Sequence, residues 1–168
     1  DELTFLIACC QIEPSKDDIE FILSYLNNAR SVNALGVQDL DANTLIDLAN
    51  QHGVLPLIYK TLKELSQGNS VLGTNNGTFL ADLKSVYTQI VQRNMLMSAE
   101  LLRIMKLLEK NDIKVLAFKG PTLSQMAYGD ITLRQYSDLD ILVKQEDRDK
   151  ISKILETQGY EQVLILTS

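Results

Sequence analysis

Residues 118–143 read FKGPTLSQMAYGDITLRQYSDLDILV, and this stretch decides both the fold and the function that the sequence predicts. It begins at the end of an apolar run, IKVLAF, which predicts a short buried strand. Pro121 predicts the start of a short helix that continues to Ala127 and is broken at Gly129-Asp130. The apolar run after the two aspartates predicts a second strand from Asp138 to Val143. The stretch therefore predicts a strand, a helix and a second strand in close succession.

On the amino-terminal side of this stretch the sequence predicts helices. Apolar residues recur there at three- and four-residue spacing in residues 16–30, 43–52, 56–65 and 79–110. The Gly-, Asn- and Ser-rich residues 66–77 predict a loop. On the carboxyl-terminal side, the pattern predicts a helix from Asp147 to Gln158, ended by Gly159, and a third strand from Glu161 to Leu166.

This order of elements predicts an α+β fold. We expect a helical N-terminal region at 1–110 and a small α/β core with a mixed sheet at 111–168. We also expect this core to be truncated at its C-terminus, because the chain stops at Ser168 inside the apolar run VLILTS.

The composition is that of an ordinary globular protein. The 168 residues suit one domain, alone or with a small appendage, and 45% of them are apolar. The formal net charge of −6 disfavours extended nucleic acid, although a small phosphorylated substrate needs only a local cluster of positive charge. No segment reaches the roughly 18 apolar residues of a membrane span. Cys9 and Cys10 are adjacent, which predicts buried free thiols and a cytoplasmic location rather than a disulfide.

Asp138 and Asp140 are the candidates for a metal site. Because side chains alternate along a strand, both would lie on one face with Cα atoms about 6.5 Å apart. Two unpaired carboxylates on one face repel each other, and a divalent cation between them removes that cost. Leu139, Ile141 and Val143 would then face a layer of helices. The alternative is the exposed start of a strand at which both carboxylates are hydrated, and the D-x-D pattern alone favours it.

Lys119, Gly120, Arg134 and Ser137 are candidates for substrate binding. Gly120 lets the backbone approach a phosphate at the N-terminus of the next helix, and Lys119 could contact the phosphate directly. Arg134 lies four residues before Asp138, where it could clamp a triphosphate. Ser137 would cap or orient Asp138. Taken alone, Lys119 and Gly120 fit an ordinary strand-to-helix turn better than a phosphate site, and Ser137 fits a plain turn serine better than a cap. Arg134 alone fits a solvated loop arginine as well as a phosphate ligand.

Other catalytic signatures are absent from the sequence. His52 is the single histidine, so neither a zinc site with the cysteines nor a Ser-His-Asp triad can be argued, and we expect a structural or surface role. There is no Walker A motif and no G-x-G-x-x-G. An EF-hand loop beginning at Asp138 fails because Val143 and Asp149 occupy the positions that need Gly and Glu.

Together these motifs resemble the polymerase-β-like nucleotidyltransferase superfamily, and within it a bacterial family of uncharacterised nucleotidyltransferases. Members of that family typically have a helical N-terminal part, a phrase like LKGxxL, a Tyr, an Arg and SDLDxLV. The corresponding residues here are Phe118 to Leu123 (FKGPTL), Tyr128, Arg134 and Ser137 to Val143 (SDLDILV). The helical segment LIDLANQHGVLPLIYKTL is also similar, and the resemblance extends from about Leu45 to Tyr160.

The resemblance implies metal-dependent transfer of a nucleoside monophosphate from an NTP to an unidentified acceptor, with release of pyrophosphate. ATP is the expected nucleotide. Asp138 and Asp140 would hold Mg²⁺ or Mn²⁺, and Lys119 and Gly120 would approach the phosphates.

The sequence departs from the superfamily pattern at two points. Pro121 follows Gly120 where the superfamily usually has a serine, so a hydroxyl on the phosphate is missing. The superfamily also uses a third carboxylate on a later strand, for which Glu161 is the nearby candidate, whereas in the closer family that acid lies beyond Ser168. These departures predict an incomplete catalytic domain that binds metal or nucleotide without turnover.

Two other functions fit the same residues. One is a non-catalytic nucleotide-binding, regulatory or antitoxin-like module with a degenerate site. The other is a glycosyltransferase that uses D-x-D to hold Mn²⁺ and a sugar nucleotide, although about a hundred mostly helical residues before the motif count against it. The apolar stripe of the long helix from Phe79 could pack inside the chain or against a second copy in a homodimer.

Overall fold

The computed structural model describes residues 2–31, 42–68 and 77–163. Five α-helices of the described part precede the first strand: α1 (Glu2–Cys9), α2 (Lys16–Ser31), α3 (Ala42–Gln51), α4 (Leu55–Gly68) and α5 (Gly77–Glu109). The predicted loop at 66–77 lies mostly outside the described residues, and its first three residues belong to α4. Among the described residues, no helix combines the length and apolar character needed to cross a membrane.

Helix α2 shows how local sequence sets a helix start. The Asp18 carboxylate accepts hydrogen bonds from the Ser15 N–H (2.9 Å) and hydroxyl (2.6 Å). The Ser15 hydroxyl oxygen in turn accepts the Asp18 N–H at 3.1 Å. This reciprocal pairing is a capping arrangement that satisfies N–H groups of the first turn. The same hydrogen bonds to Ser15 lower the pKa of Asp18.

Two hydrophobic cores are joined by α5. The first core packs α1 to α4 against the first half of α5, and its fully buried members include Phe5, Ile22, Leu55, Ile58 and Leu83. The second core contains Ile104, Leu108, Ile113 and Ile151, so the second half of α5 supports the carboxyl-terminal elements. The predicted division at residue 110 therefore falls at the end of a helix that contributes to both cores.

After α5 the chain forms β1 (Val115–Phe118), α6 (Gly120–Tyr128), β2 (Asp140–Val143), a 3₁₀ turn (Gln145–Asp147) and α7 (Arg148–Glu156). Strands β1 and β2 pair antiparallel, with Val115 opposite Val143 and Phe118 opposite Asp140. The predicted α+β class is thus confirmed, with a small antiparallel sheet behind a helical N-terminal part.

The third strand predicted from Glu161 to Leu166 is wrong for residues 161–163, which form no strand, and its remainder lies outside the described residues. The side chains of the residues next to Glu161 form hydrogen bonds with helices instead. The Ser152 hydroxyl on α7 donates to Gln162 Oε1 at 3.0 Å, and the Tyr160 hydroxyl donates to the Glu100 carboxylate on α5. The described sheet therefore has two strands rather than a mixed set of three.

Candidate functional site

The candidate site begins at the junction between β1 and α6, where the backbone is strained. Lys119 has φ 57° and ψ −149°, a conformation that residues with a side chain rarely adopt. Such a conformation costs about 1–3 kcal/mol and persists where surrounding structure enforces it. Gly120, the first residue of α6, also has a positive φ of 45°. The chain therefore turns sharply from strand to helix at the two residues predicted to approach a phosphate.

Gly120 brings the start of α6 close to the segment before β2. A Cβ atom at Gly120 would lie 3.5 Å from the Asp138 carbonyl oxygen and 4.0 Å from Leu139 Cδ2. The N-terminus of α6, the backbone of Asp138 and the end of β1 are thus neighbours. A helix N-terminus carries partial positive charge and favours anions, so phosphate oxygens are the matching ligand.

Lys119 and Asp140 meet across the two strands. Because Phe118 is opposite Asp140 in the ladder, the residue after Phe118 lies next to that carboxylate, and Lys119 Nζ is 3.7 Å from Asp140 Oδ2. Both side chains are more than a third exposed, so this ion pair contributes at most about 1 kcal/mol. The Lys119 ammonium also lies 5.5 Å from the centre of the Phe118 ring.

The two aspartates differ in their backbone setting. β2 begins at Asp140, so the prediction that both belong to one strand is wrong for Asp138, which precedes the ladder. The predicted alternation of faces nevertheless holds for their neighbours, because Leu139, Ile141 and Val143 pack against the second core. Asp138 is exposed and Asp140 is partly exposed, so both carboxylates remain outside that core.

Arg134 is positioned through its backbone by Asn94 of α5. The Asn94 side chain is fully buried, and its Nδ2 donates to the carbonyl oxygens of Ile131 and Arg134, each at 2.9 Å. Its Oδ1 is buried and has no hydrogen-bond partner among the described residues. Asn94 therefore clamps the segment between α6 and β2 to α5. Sequence reasoning missed this residue, although an Asn inside the apolar spacing of a long helix is the signal that could have found it.

A second set of hydrogen bonds holds the same segment. The Tyr136 hydroxyl donates to the Asn94 carbonyl oxygen at 3.2 Å and lies 3.2 Å from the Ser98 hydroxyl. Burial raises the pKa of Tyr136, so its hydroxyl stays protonated as a donor at neutral pH. Together with Asn94, these contacts fix the backbone from which Arg134 and the two aspartates extend.

The structure does not place every predicted site residue together. Ser137 is exposed and forms no hydrogen bond to Asp138 in the described structure, so its role in capping or orienting that aspartate stays a prediction beside the alternative of a turn serine. Within residues 2–31, 42–68 and 77–163, no group of three or more His, Cys, Asp or Glu side chains could hold a metal ion. Glu161 therefore does not join Asp138 and Asp140 as a third carboxylate there.

The cysteines and the histidine belong to the helical N-terminal part of the chain. Cys9 and Cys10 are free, as predicted. Burial raises the pKa of the Cys9 thiol and raises that of Cys10 to about 11, so both remain protonated and unreactive at neutral pH. His52 is exposed in the turn after α3, which agrees with the predicted surface role.

Comparison with known proteins identifies one family. Residues 38–164 match the model of the family described as uncharacterised nucleotidyltransferase. This range covers well over half of the chain and includes all six candidate site residues. No curated protein and no solved structure matches the chain.

Proposed function

Because the chain belongs to this family of uncharacterised nucleotidyltransferases, we propose that it binds an NTP and transfers the nucleoside monophosphate to an acceptor, releasing pyrophosphate. ATP is the proposed nucleotide. The observation that carries the proposal is the convergence of Lys119, Gly120 and Asp140 where β1 ends and α6 begins, with Lys119 Nζ 3.7 Å from Asp140 Oδ2.

The triphosphate would bind at the N-terminus of α6. Gly120 has no side chain, so the backbone can approach phosphate oxygens there, and the Lys119 ammonium would neutralise part of their charge. The strain at Lys119 supports this role, because strained residues concentrate at functional sites. Arg134 would contact the phosphates from the clamped segment, and Ser137 would donate a hydrogen bond to the ligand from its exposed position.

Asp138 and Asp140 would hold Mg²⁺, or Mn²⁺ in its place. The donors fit such an ion, because Mg²⁺ is commonly held by one or two carboxylates together with waters and substrate phosphates. When bound, the metal supplies neutralisation of phosphate charge and activation of an acceptor oxygen. The protein's own contribution is to keep both carboxylates outside the second core while Leu139 anchors the backbone between them.

Calorimetric titration of a non-hydrolysable ATP analogue with and without Mg²⁺ tests this proposal. Wild-type protein should bind, and binding should require both the metal and the aspartates, so Asp138→Ala/Asp140→Ala should lose it. Asp82→Asn is the matched control, since Asp82 is an exposed carboxylate on α5. Absence of binding by the folded wild-type chain, or binding that survives loss of both aspartates, would contradict the proposal.

A nucleotide-binding module without transfer activity is the second candidate. The Lys119 ammonium beside Asp140 favours it, because a cation of the protein already offsets the charge of that carboxylate. In this case the ATP analogue should bind without Mg²⁺, and Lys119→Gln should weaken binding more than Asp140→Asn does. A larger loss of binding from Asp140→Asn than from Lys119→Gln would favour the metal-dependent site.

A further inference from the structure

A polar cavity lies beside the segment that carries Arg134 and away from the Lys119–Asp140 pair. It has a volume of about 340 Å³ and lies between α4, α5 and the segment that follows α6. Its walls include Tyr59, Lys60, Lys63, Tyr87 and Asp130. Pockets for small molecules commonly have volumes of roughly 300–1,000 Å³, so this one is large enough for a compact ligand.

The cavity and the Lys119–Asp140 pair lie at opposite ends of α6. Lys119 and Gly120 are at the N-terminus of this helix, whereas Asp130 follows its C-terminus. Nine helical residues rise about 13 Å, so a compact molecule in the cavity does not reach the Lys119–Asp140 pair. None of the candidate site residues lines the cavity.

Two lysines supply the positive charges of the cavity, and Glu64 and Asp130 line it with two negative ones. Lys60 and Lys63 are three residues apart on α4, where like charges are neighbours and repel each other. Neither forms an ion pair within the part of the chain that the structure describes. Glu64 also lines the cavity and is exposed, but it pairs with neither lysine. An anion between the two ammonium groups would remove their repulsion.

The carboxylate of Asp130 is already engaged. Its Oδ1 accepts the Thr132 N–H and the Thr132 hydroxyl, each at 2.7 Å. This local turn holds Asp130 by hydrogen bonds within its own segment, and among the described residues Asp130 forms no ion pair with either lysine. The two ammonium groups are therefore available for a ligand.

The aromatic wall of the cavity is held by contacts within the chain. The Tyr59 and Tyr87 rings stack with their centres 4.4 Å apart, and the Tyr87 hydroxyl lies 3.2 Å from the Thr132 hydroxyl. The Lys63 ammonium lies 6.0 Å from the centre of the Tyr59 ring. Walls that are already ordered lose little conformational entropy on binding, which favours affinity.

We propose that this cavity is a second ligand site, which binds a small phosphorylated molecule through the ammonium groups of Lys60 and Lys63. Lysine binds phosphate as a compact positive charge, and two lysines one helical turn apart suit a group with two negative charges. The stacked tyrosines form the wall against which the rest of the molecule packs. This site shares no lining residue with the nucleotide site proposed above.

Calorimetric titration with inorganic pyrophosphate, in the absence of divalent metal, tests the proposal on the full chain. Lys60→Gln/Lys63→Gln should raise the dissociation constant by at least about tenfold, because both phosphate contacts are lost. Lys119→Gln should retain binding. Lys106→Gln/Lys110→Gln is the matched control, since it removes two exposed charges from one end of α5. Thermal unfolding of each variant checks that the fold is intact.

The outcomes separate the two sites. Binding that is lost in Lys119→Gln and kept in Lys60→Gln/Lys63→Gln would overturn the second site and favour the first. Equal weakening in the control pair would also overturn it, since bulk charge would then explain the binding. Amide NMR signals of Lys63 and Glu64 on α4 should shift during titration of wild-type protein, and signals that stay unchanged would contradict binding in this cavity.

Discussion

The two ends of α6 differ in how their backbone is stabilised. At the N-terminus, Lys119 and Gly120 adopt positive φ values, and the charged side chains there are exposed. At the C-terminus, Gly129 ends the helix in the left-handed conformation, its N–H donates to the Gln125 carbonyl, and Ser124 donates to the Asp130 carbonyl at 2.8 Å. The C-terminal end thus satisfies its own polar groups, whereas the N-terminal end keeps strain and charge that a ligand can use.

The largest expected effect comes from removing the clamp that holds the segment after α6. Asn94→Leu leaves the carbonyl oxygens of Ile131 and Arg134 without their donor, so it should lower the free energy of unfolding by about 2–4 kcal/mol. Denaturant unfolding measures this change. Asn50→Ala is the control, because Asn50 is exposed and accepts one hydrogen bond from Gln135. If Asn94→Leu and Asn50→Ala lower the free energy of unfolding equally, the hydrogen bonds of Asn94 do not stabilise this segment more than an exposed amide does.

Replacing the glycine at each end of α6 with alanine compares the two ends directly. Gly120→Ala and Gly129→Ala should each lower the free energy of unfolding by about 1–2 kcal/mol, because both positions have positive φ. Only Gly120→Ala should weaken binding of the ATP analogue, since a Cβ at Gly129 has no atom within 4 Å. Unfolding and calorimetry on the same samples separate the effects. Equal weakening of nucleotide binding would show that the two ends do not differ in function.

Replacing Lys119 tests whether its strain serves binding rather than stability. Lys119→Gly should raise the free energy of unfolding by about 1 kcal/mol, because glycine adopts this backbone conformation without strain. The same change should weaken nucleotide binding, because the ammonium group is lost. Lys119→Ala removes the charge but keeps a Cβ, so the difference between the two variants isolates the strain. If Lys119→Gly is no more stable than Lys119→Ala, the backbone at this position is not strained.

The smallest effect concerns the Tyr136 hydroxyl. Burial raises its pKa above the unfolded value, so its stabilisation is complete below that value of 10.0 and is lost as pH rises through the folded pKa. Stability should therefore fall above about pH 10, and it should fall less steeply in Tyr136→Phe. The two thiols ionise equally in both proteins, so the difference between the slopes belongs to Tyr136. Urea unfolding at pH 9 to 11 measures it, and identical slopes would contradict the prediction.

Much of the fold could be predicted because it depends on local patterns. The helix predicted from Phe79 to Lys110 is observed from Gly77 to Glu109, and the helix predicted from Pro121 to Ala127 is one residue longer at each end. Apolar spacing along a helix is a property of neighbouring residues, so it can be read from one segment. The third strand was wrong for residues 161–163 because a short run of this kind does not reveal whether it pairs with another strand.

The amino-acid sequence by itself determined the order of helices and strands, the Lys-Gly turn, the two aspartates and the family. Tertiary structure decided how these pieces meet. Lys119 lies against Asp140, and the Asn94 side chain donates a hydrogen bond to the Arg134 backbone, 40 residues away. The Tyr87 hydroxyl lies next to the Thr132 hydroxyl, 45 residues away. The reason is physical. Helix spacing and turn chemistry act within a few neighbouring residues, whereas a buried amide clamp or a paired lysine and aspartate exists only after distant segments pack together.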